Sequence, residues 1–264
     1  MSSRKVYLQP IIIIFAYLFF MNNQEIFLID QLEKGVKKYV EDKSRKDEIL
    51  AVTSPTKSSV KQFNKLREEQ VKEFRLMNGN PNISRATFKR YFQARAKERL
   101  EIQILMIENR VMMHEKITNT EWDLIMEMEN HVRQKNRNKI EKKLSRGKYI
   151  SAFAGMEKVI DKVIEDKSKK IELMNMLESF KSTHHSWVTK ANDFSALHNE
   201  IIAKKDATEE ELTNEIMKLN ILRMDMYINI IDFRFSILEH TDNEEWEAII
   251  NELNIMMKKQ KIMQ

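Results

Sequence analysis

Apolar residues recur at spacings of three and four along most of this chain, as they do on the buried face of a helix. The clearest stripe predicts one long helix over residues 84–115 and consists of Phe88, Phe92, Ala96, Leu100, Ile104, Ile107 and Val111. Three further helices are predicted before residue 145: residues 24–52, a segment that ends near residue 77 after a break or kink at Ser54 and Pro55, and residues 119–144.

The chain repeats itself at an offset of 124 residues. Residues 32–50 and residues 156–174, whose first positions differ by 124, are identical at nine of nineteen aligned positions. Trp122 and Trp246, two of the three tryptophans, differ by the same number. A constant period is typical of a duplicated structural unit. We call the residue 124 positions away the counterpart.

The repeat predicts an all-α fold of two tandem up-and-down bundles in series, each with three or four helices. Residues 24–147 form the first predicted bundle and residues 148–264 the second, with the join near Gly147. Four Gly and three Pro in 264 residues leave few turns, which favours long helices. Ser179 is the counterpart of Pro55, so two predicted helices of the second unit could form one bent helix.

Six of the seven counterparts of the stripe are apolar, and the exception is Asn220 opposite Ala96. We expect Asn220 at the edge of the stripe, because a buried amide needs hydrogen-bond partners. His114 follows in the same stripe and has the counterpart Leu238. This pairing favours a core or boundary position for His114 over a role as a ligand.

Both units begin their last predicted helix with the same pattern. Thr118 and Glu121 stand three residues apart in the first unit, as Asp242 and Glu245 do in the second. This spacing predicts a capping box, in which the first side chain accepts from a free backbone amide and the glutamate reaches back to the cap residue.

Large side chains also pair at the offset of 124 residues. They are Arg99 with Arg223, Arg110 with Arg234, and Trp122 with Trp246. Each tryptophan follows a helix start, and the area that an indole buries favours an anchor for the last helix. For the arginines we predict ion pairs with acidic residues of the first helix in each unit. These acidic residues are Glu33, Glu41, Asp42, Glu157, Glu165 and Asp166.

The first 23 residues resemble a segment that directs a protein to a membrane. Residues 11–20 are all apolar, which matches the core of a signal peptide and is short for a spanning helix. No small residues follow, so an uncleaved anchor stays open. Arg4 and Lys5 precede the run, while Glu25 and Asp30 follow it, which predicts a cytoplasmic N-terminus and an extracytoplasmic remainder, periplasmic or secreted. A buried apolar helix of a soluble domain is the alternative.

The sequence contains no arrangement typical of catalysis or of a cofactor. There is no Cys, no Gly-rich phosphate loop and no Glu-x-x-His pair. We interpret the adjacent His184 and His185 as exposed and incidental, since His198 does not join them at a ligand spacing. We therefore expect no enzyme activity, no cofactor and no metal site, and we assign most of the 17 Met to core filling.

The two predicted units differ in net charge. Residues 24–147 hold 27 Lys or Arg and 19 Asp or Glu, whereas residues 148–264 hold 16 and 21. Residues 133–148, from Arg133 to Lys148, contain eight basic side chains and one Glu. This region could contact an anionic surface or an acidic partner, or it could be a solvated helix end. Nucleic acid is not expected as a partner of a protein routed out of the cytoplasm.

Residues 117–121, Ile-Thr-Asn-Thr-Glu, resemble the Leu-Thr-x-x-Gln helix-start motif of periplasmic stress chaperones. Glu121 replaces the Gln of that motif, and the resemblance covers five residues. Residues 241–245 keep only its cap. The resemblance implies a helical protein that binds unfolded clients through a concave apolar or Met-bearing face.

These features predict a non-catalytic, exported or membrane-anchored repeat protein that acts through protein or membrane-surface contacts in the cell envelope. Its protein partner is not identified by the sequence. An envelope chaperone or stress sensor is the first alternative. A metal-binding helical bundle is the second, and it requires at least three His or acidic side chains that converge.

Overall fold

A computed structural model describes residues 29–145 and 153–259, which form α-helices joined by short turns, so the all-α prediction is confirmed. The helices are α1 Ile29–Tyr39, α2 Lys43–Gly79, α3 Arg85–His114, α4 Asn119–Ser145, α5 Ala154–Val163, α6 Lys167–Ala203, α7 Glu209–Glu239 and α8 Asn243–Lys259. Below, the first half is residues 29–145 and the second half is residues 153–259. The predicted membrane-directed segment and the join near Gly147 lie outside the described residues. Among the helices that are described, none has the length and apolarity needed to cross a membrane.

Of the break or kink predicted at Pro55, the break is wrong, because Pro55 lies inside α2. Proline removes the hydrogen bond to the carbonyl of Ala51, but Ala51 is exposed, so water can replace that donor. The chain breaks earlier, where the Asp42 side chain accepts from the backbone amide of Arg45 at 2.7 Å and caps α2. Asp166 caps α6 in the same way.

The helix boundaries follow the offset of 124 residues closely. The bounds of α2 and α6 differ by 124 at both ends, and α3 and α7 begin 124 residues apart. The residues that cap these long helices are counterparts too: Asp42 with Asp166, and Ser84 with Thr208. Each half therefore contains one short helix, two long helices and a last helix.

The four long helices lie side by side in the order α2, α3, α7, α6, with α3 and α7 in the middle. The helices α1 and α4 pack together at one end of this layer, and α5 and α8 pack together at the other end. The halves also exchange contacts across the layer, since α8 packs on α2 and α4 packs on α6.

Two hydrophobic cores result, and each contains residues of both halves. The first core joins Leu32, Val36, Met106, Ile107 and Trp122 with Ile202, Ala207, Leu212 and Ile216 of the second half. The second core joins Phe74, Phe88, Tyr91 and Phe92 with Phe153, Ile160, Phe180, Ile231 and Trp246. This packing differs from the expected bundles in series. A helix of 30 residues is about 45 Å long, so α3 and α7 each extend through both cores.

Candidate functional site

Two buried arginines join the halves through equivalent contacts. The guanidinium of Arg110 on α3 donates to the carbonyl of Lys204 after α6, and that of Arg234 on α7 donates at 2.7 Å to the carbonyl of Asn80 after α2. Carbonyl groups at helix ends lack intrahelical partners and carry partial negative charge, so a cation stabilises them. Burial lowers the pKa of Arg110 and of Arg234 to about 10, which leaves both charged at neutral pH.

The paired tryptophans complete these junctions. The guanidinium of Arg110 lies 5.1 Å from the ring centre of Trp122, and that of Arg234 lies 5.0 Å from the ring centre of Trp246. Both indoles are buried. The indole N–H of Trp122 donates to the carbonyl of Ala203 at 2.8 Å, next to the arginine contact. Each junction thus ties a long helix and a last helix of one half to the end of a long helix in the other half.

Four of the six acidic residues that were predicted to pair with the arginines bind other groups. Glu33 accepts from the ammonium group of Lys57 at 2.7 Å, and Glu157 accepts from that of Lys181, the counterpart of Lys57. Asp42 and Asp166 cap helices, while Glu41 and Glu165 are exposed. The ion pairs of Glu33 and Glu157 therefore join α1 to α2 and α5 to α6, which are neighbouring helices.

A polar layer crosses the contact between α3 and α7 at the middle of the molecule. Arg99 donates to the hydroxyl of Tyr227 at 3.3 Å, and Asn220 donates to the side-chain oxygen of Gln103 at 2.8 Å. The Asn220 oxygen also accepts from Arg223 at 3.0 Å. Asn220 is half-buried, and its hydrogen bonds supply the partners that its amide requires.

The predicted capping motif forms at the start of both last helices, α4 and α8. The Thr118 amide donates to Glu121 at 2.9 Å, and the Glu121 amide donates to the Thr118 hydroxyl at 3.3 Å. Asp242 and Glu245 exchange equivalent bonds, both 2.9 Å. Both glutamates also form ion pairs with a neighbouring helix: Glu121 with Arg45 of α2, and Glu245 with Lys169 of α6. The residues that resemble a chaperone motif are therefore occupied by contacts within the fold.

His184 is fully buried, which corrects its interpretation as an exposed residue. It lies in the middle of α6 with the rings of Phe153, Phe180 and Trp187 between 6.1 and 6.4 Å away. Burial lowers the pKa of His184 to about 3, and the charge of the exposed His185 acts in the same direction. Its counterpart is Val60, also in the core, so an apolar counterpart was the sequence signal for this burial.

His198 is a second buried histidine, and its counterpart is the buried Phe74. Its ring stacks on Phe194 with the ring centres 5.4 Å apart, and burial lowers its pKa to about 4. His114 is half-buried, as a boundary position requires. Within residues 29–145 and 153–259, no group of three His, Asp or Glu side chains is arranged to hold a metal ion.

The outward surfaces of α3 and α7 differ although their inward surfaces match. On α7 the side chains of Met217, Ile221 and Ile228 are 41%, 59% and 42% exposed. Their counterparts on α3 are Gln93, Lys97 and Ile104. We call the exposed α7 residues the α7 stripe. Further towards its start, α3 exposes Lys89 and Arg90, whose counterparts are Thr213 and Asn214. We call Lys89, Arg90 and Lys97 the basic face of α3.

A groove of about 540 Å³ runs beside the α7 stripe, between α6 and α7. Its walls are Ser182, Thr183, Ser186 and Lys190 on one side and Leu222, Asp225, Ile228 and Asn229 on the other. Trp187 lines the groove as well, and its indole N–H donates to the carbonyl of Leu222 at 2.6 Å, which ties the two helices together. The groove mixes polar and apolar groups and is open to solvent.

The basic region of residues 133–148 contains cations with partners. Arg133 is half-buried, binds the buried carboxylate of Glu129 at 2.5 Å and donates to Asn199 on α6 at 3.3 Å. Arg137 pairs with Glu141 at 3.0 Å. Arg133 therefore connects α4 to α6, whereas Lys135, Lys139 and Lys142 are exposed.

Comparison of the chain with protein-family models, with curated proteins and with solved structures gives no match.

Proposed function

We propose that this protein is a tandemly duplicated helical scaffold that acts by surface contact and without catalysis, on the extracytoplasmic side of a membrane to which residues 1–23 direct it. The observation that carries the proposal is the difference between two matched helices. The inward side chains of α3 and α7 occupy equivalent places in the two cores, while outward counterparts such as Lys97 and Ile221 differ in chemistry.

Duplication is supported by contacts that recur at counterpart positions. The ion pair of Glu33 with Lys57 recurs as that of Glu157 with Lys181, and the contact of Arg110 with Lys204 recurs as that of Arg234 with Asn80. Equivalent contacts at this many counterpart positions are expected when both halves derive from one unit, since core packing constrains sequence most strongly. Outward positions are free of that constraint and can acquire separate partners.

An anionic lipid surface is the proposed partner of the basic face of α3. Lys89, Arg90 and Lys97 are exposed. Each basic residue close to an anionic surface contributes about 1 kcal/mol of attraction. Residues 1–23 would hold the folded part near such a surface, so this weak attraction would act at high effective concentration.

The membrane location is tested by fractionating cells that produce the full chain or a variant without residues 1–23. We expect the full chain to sediment with membranes and to resist extraction by high salt and by carbonate. The shortened variant is expected in the soluble fraction. A full chain that is soluble after cell breakage would contradict the proposed location.

The surface contact is tested by flotation with lipid vesicles of the variant without residues 1–23. We expect binding to vesicles with 30% phosphatidylglycerol, release by 0.5 M salt, and loss of binding in the triple variant Lys89→Glu, Arg90→Glu, Lys97→Glu, about 1 kcal/mol per residue. The matched control changes three exposed lysines of the second half to glutamate: Lys158, Lys162 and Lys167. Equal loss of binding in both triple variants would contradict a specific role for the basic face of α3.

An envelope chaperone is the second candidate, and it is favoured by the exposed apolar side chains of the α7 stripe. A Met-bearing apolar surface adapts to clients of different shape. The test is suppression of the aggregation of a chemically denatured client at a substoichiometric amount of this protein. We expect Ile221→Lys to remove an authentic chaperone effect, while unchanged client aggregation with the wild-type protein would exclude this candidate.

A further inference from the structure

Together with Met224, the residues of the α7 stripe form a regular pattern along the outward side of α7. Met217, Ile221, Met224 and Ile228 follow one another at spacings of four, three and four residues. This alternation places them at successive a and d positions of heptads, which form the contact surface of a coiled coil. Met224 is half-buried and packs partly against the second core, and the other three are exposed. The buried residues of α7, among them Leu212, Leu219 and Met226, lie on a different side of the helix.

We propose that the α7 stripe binds the α7 stripe of a second copy of this chain in an antiparallel pair. In this alignment Met217 of each copy lies opposite Ile228 of the other, and Ile221 lies opposite Met224. Four apolar layers result from one repeated contact, as a two-fold interface requires. The proposal rests on the contact function given above and names the partner of the α7 surface.

The charges beside the stripe favour a second copy in this orientation. Lys218 and Asp225 are exposed next to the stripe, and the antiparallel alignment brings Lys218 of each copy close to Asp225 of the other. Lys218 also binds Glu215 on its own helix, which holds the ammonium group at this edge. A parallel pair would not bring Lys218 of one copy close to Asp225 of the other.

Self-association is tested by sedimentation equilibrium of the full chain in density-matched detergent. We expect a dimer for the wild-type chain and an at least 100-fold higher dissociation constant for Ile221→Lys, because both copies lose an apolar contact at the centre of the interface. The control Ile171→Lys makes the same change at an equally exposed isoleucine near the start of α6 and is expected to leave the dimer intact. A monomeric wild-type chain, or a dimer unaffected by Ile221→Lys, would overturn the proposal.

Orientation is tested by disulfide trapping, which is clean because the natural chain has no Cys. After oxidation, a mixture of Met217→Cys chains with Ile228→Cys chains should give a covalent dimer, and neither variant alone should do so. Cross-linking of each variant with itself would show a parallel pair, and the absence of any cross-link would indicate that another protein or a lipid surface covers the stripe. Both results would overturn the antiparallel pair while leaving the membrane location and the vesicle binding of α3 to be judged by their own tests.

Discussion

At the scale of single residues, two buried arginines form hydrogen bonds between the halves. Arg110 and Arg234 are almost completely buried, and each satisfies a helix-end carbonyl of the other half while contacting an indole ring. Their pairing could be read from the sequence, since they are counterparts. Their acceptors could not, because Lys204 and Asn80 lie 94 and 154 residues away from them.

Replacing Arg234 by methionine removes the donor but keeps most of the apolar volume. The Asn80 carbonyl would be left without this donor at a partly buried site, so we expect a loss of about 1 to 3 kcal/mol in the free energy of unfolding. Urea denaturation measures this loss. The control Arg90→Met changes an exposed arginine and should stay within about 0.5 kcal/mol of the wild type. If the Arg234→Met variant were as stable as this control, the free energy regained by no longer burying a charge would equal the free energy lost with the hydrogen bond.

The two buried histidines predict a stability that falls in acid. In the folded protein the pKa of His184 is lowered to about 3 and that of His198 to about 4, whereas both are near 6.5 in the unfolded chain. Below pH 6.5 the unfolded chain therefore binds more protons than the folded protein. Between pH 6.5 and about 4 each histidine should lower the free energy of unfolding by about 1.4 kcal/mol per pH unit.

Urea midpoints measured from pH 7.5 to pH 5 check this dependence. The double variant His184→Val, His198→Phe replaces each histidine by the type of its counterpart residue, Val60 or Phe74. We expect a much flatter profile for this variant. An equally steep decline would place the acid sensitivity in other groups.

At the scale of helices, local signals placed the starts of α3 and α4 and of their counterparts correctly, whereas the start of α2 was missed and its interior depended on tertiary contacts. The cap patterns at Ser84, Thr118 and Asp242 lie directly before helices in the structure. Pro55 predicted a break or kink in the helix, yet the helix continues through it. Ile49, Thr53, Thr56 and Val60 are buried along one side of α2, so packing on both sides of the proline holds the helix together.

Because Pro55 and Ser179 are counterparts, exchanging the two residue types should change the free energy of unfolding in opposite directions. Pro55→Ser should restore a backbone donor and raise the free energy of unfolding by about 1 to 3 kcal/mol, after the gain in chain entropy of the unfolded state is included. Ser179→Pro introduces the same defect in α6 and should lower the free energy by about 3 kcal/mol. Urea denaturation of both variants tests this pair. Effects of the same sign would mean that α2 and α6 tolerate proline for reasons other than backbone hydrogen bonding.

At the scale of the whole molecule, each core is shared by both halves. Leu212 and Ile216 of the second half complete the first core, and Phe74, Phe88 and Phe92 of the first half complete the second. Separation of the halves would expose these side chains, and each large apolar residue contributes roughly 1.5 to 3 kcal/mol when buried.

We therefore expect that neither half folds on its own as a monomer. Residues 24–147 and residues 148–264, produced separately, should unfold without a cooperative thermal transition, whereas an equimolar mixture should regain the helical signal and a cooperative transition of the full chain. Circular dichroism during heating measures both. A cooperative, monomeric first half would contradict the importance of the shared cores.

The sequence by itself determined the helical class, the period of 124 residues, the positions of most caps and the identity of the paired arginines and tryptophans. These features depend on spacing along one helix or on comparison of two stretches of the same chain. Only the tertiary structure decided that the long helices of the two halves lie next to each other, that His184 is buried, and that Arg110 and Arg234 donate to carbonyls at helix ends of the other half. The physical reason is that helical periodicity identifies a buried face but does not specify which helix covers it.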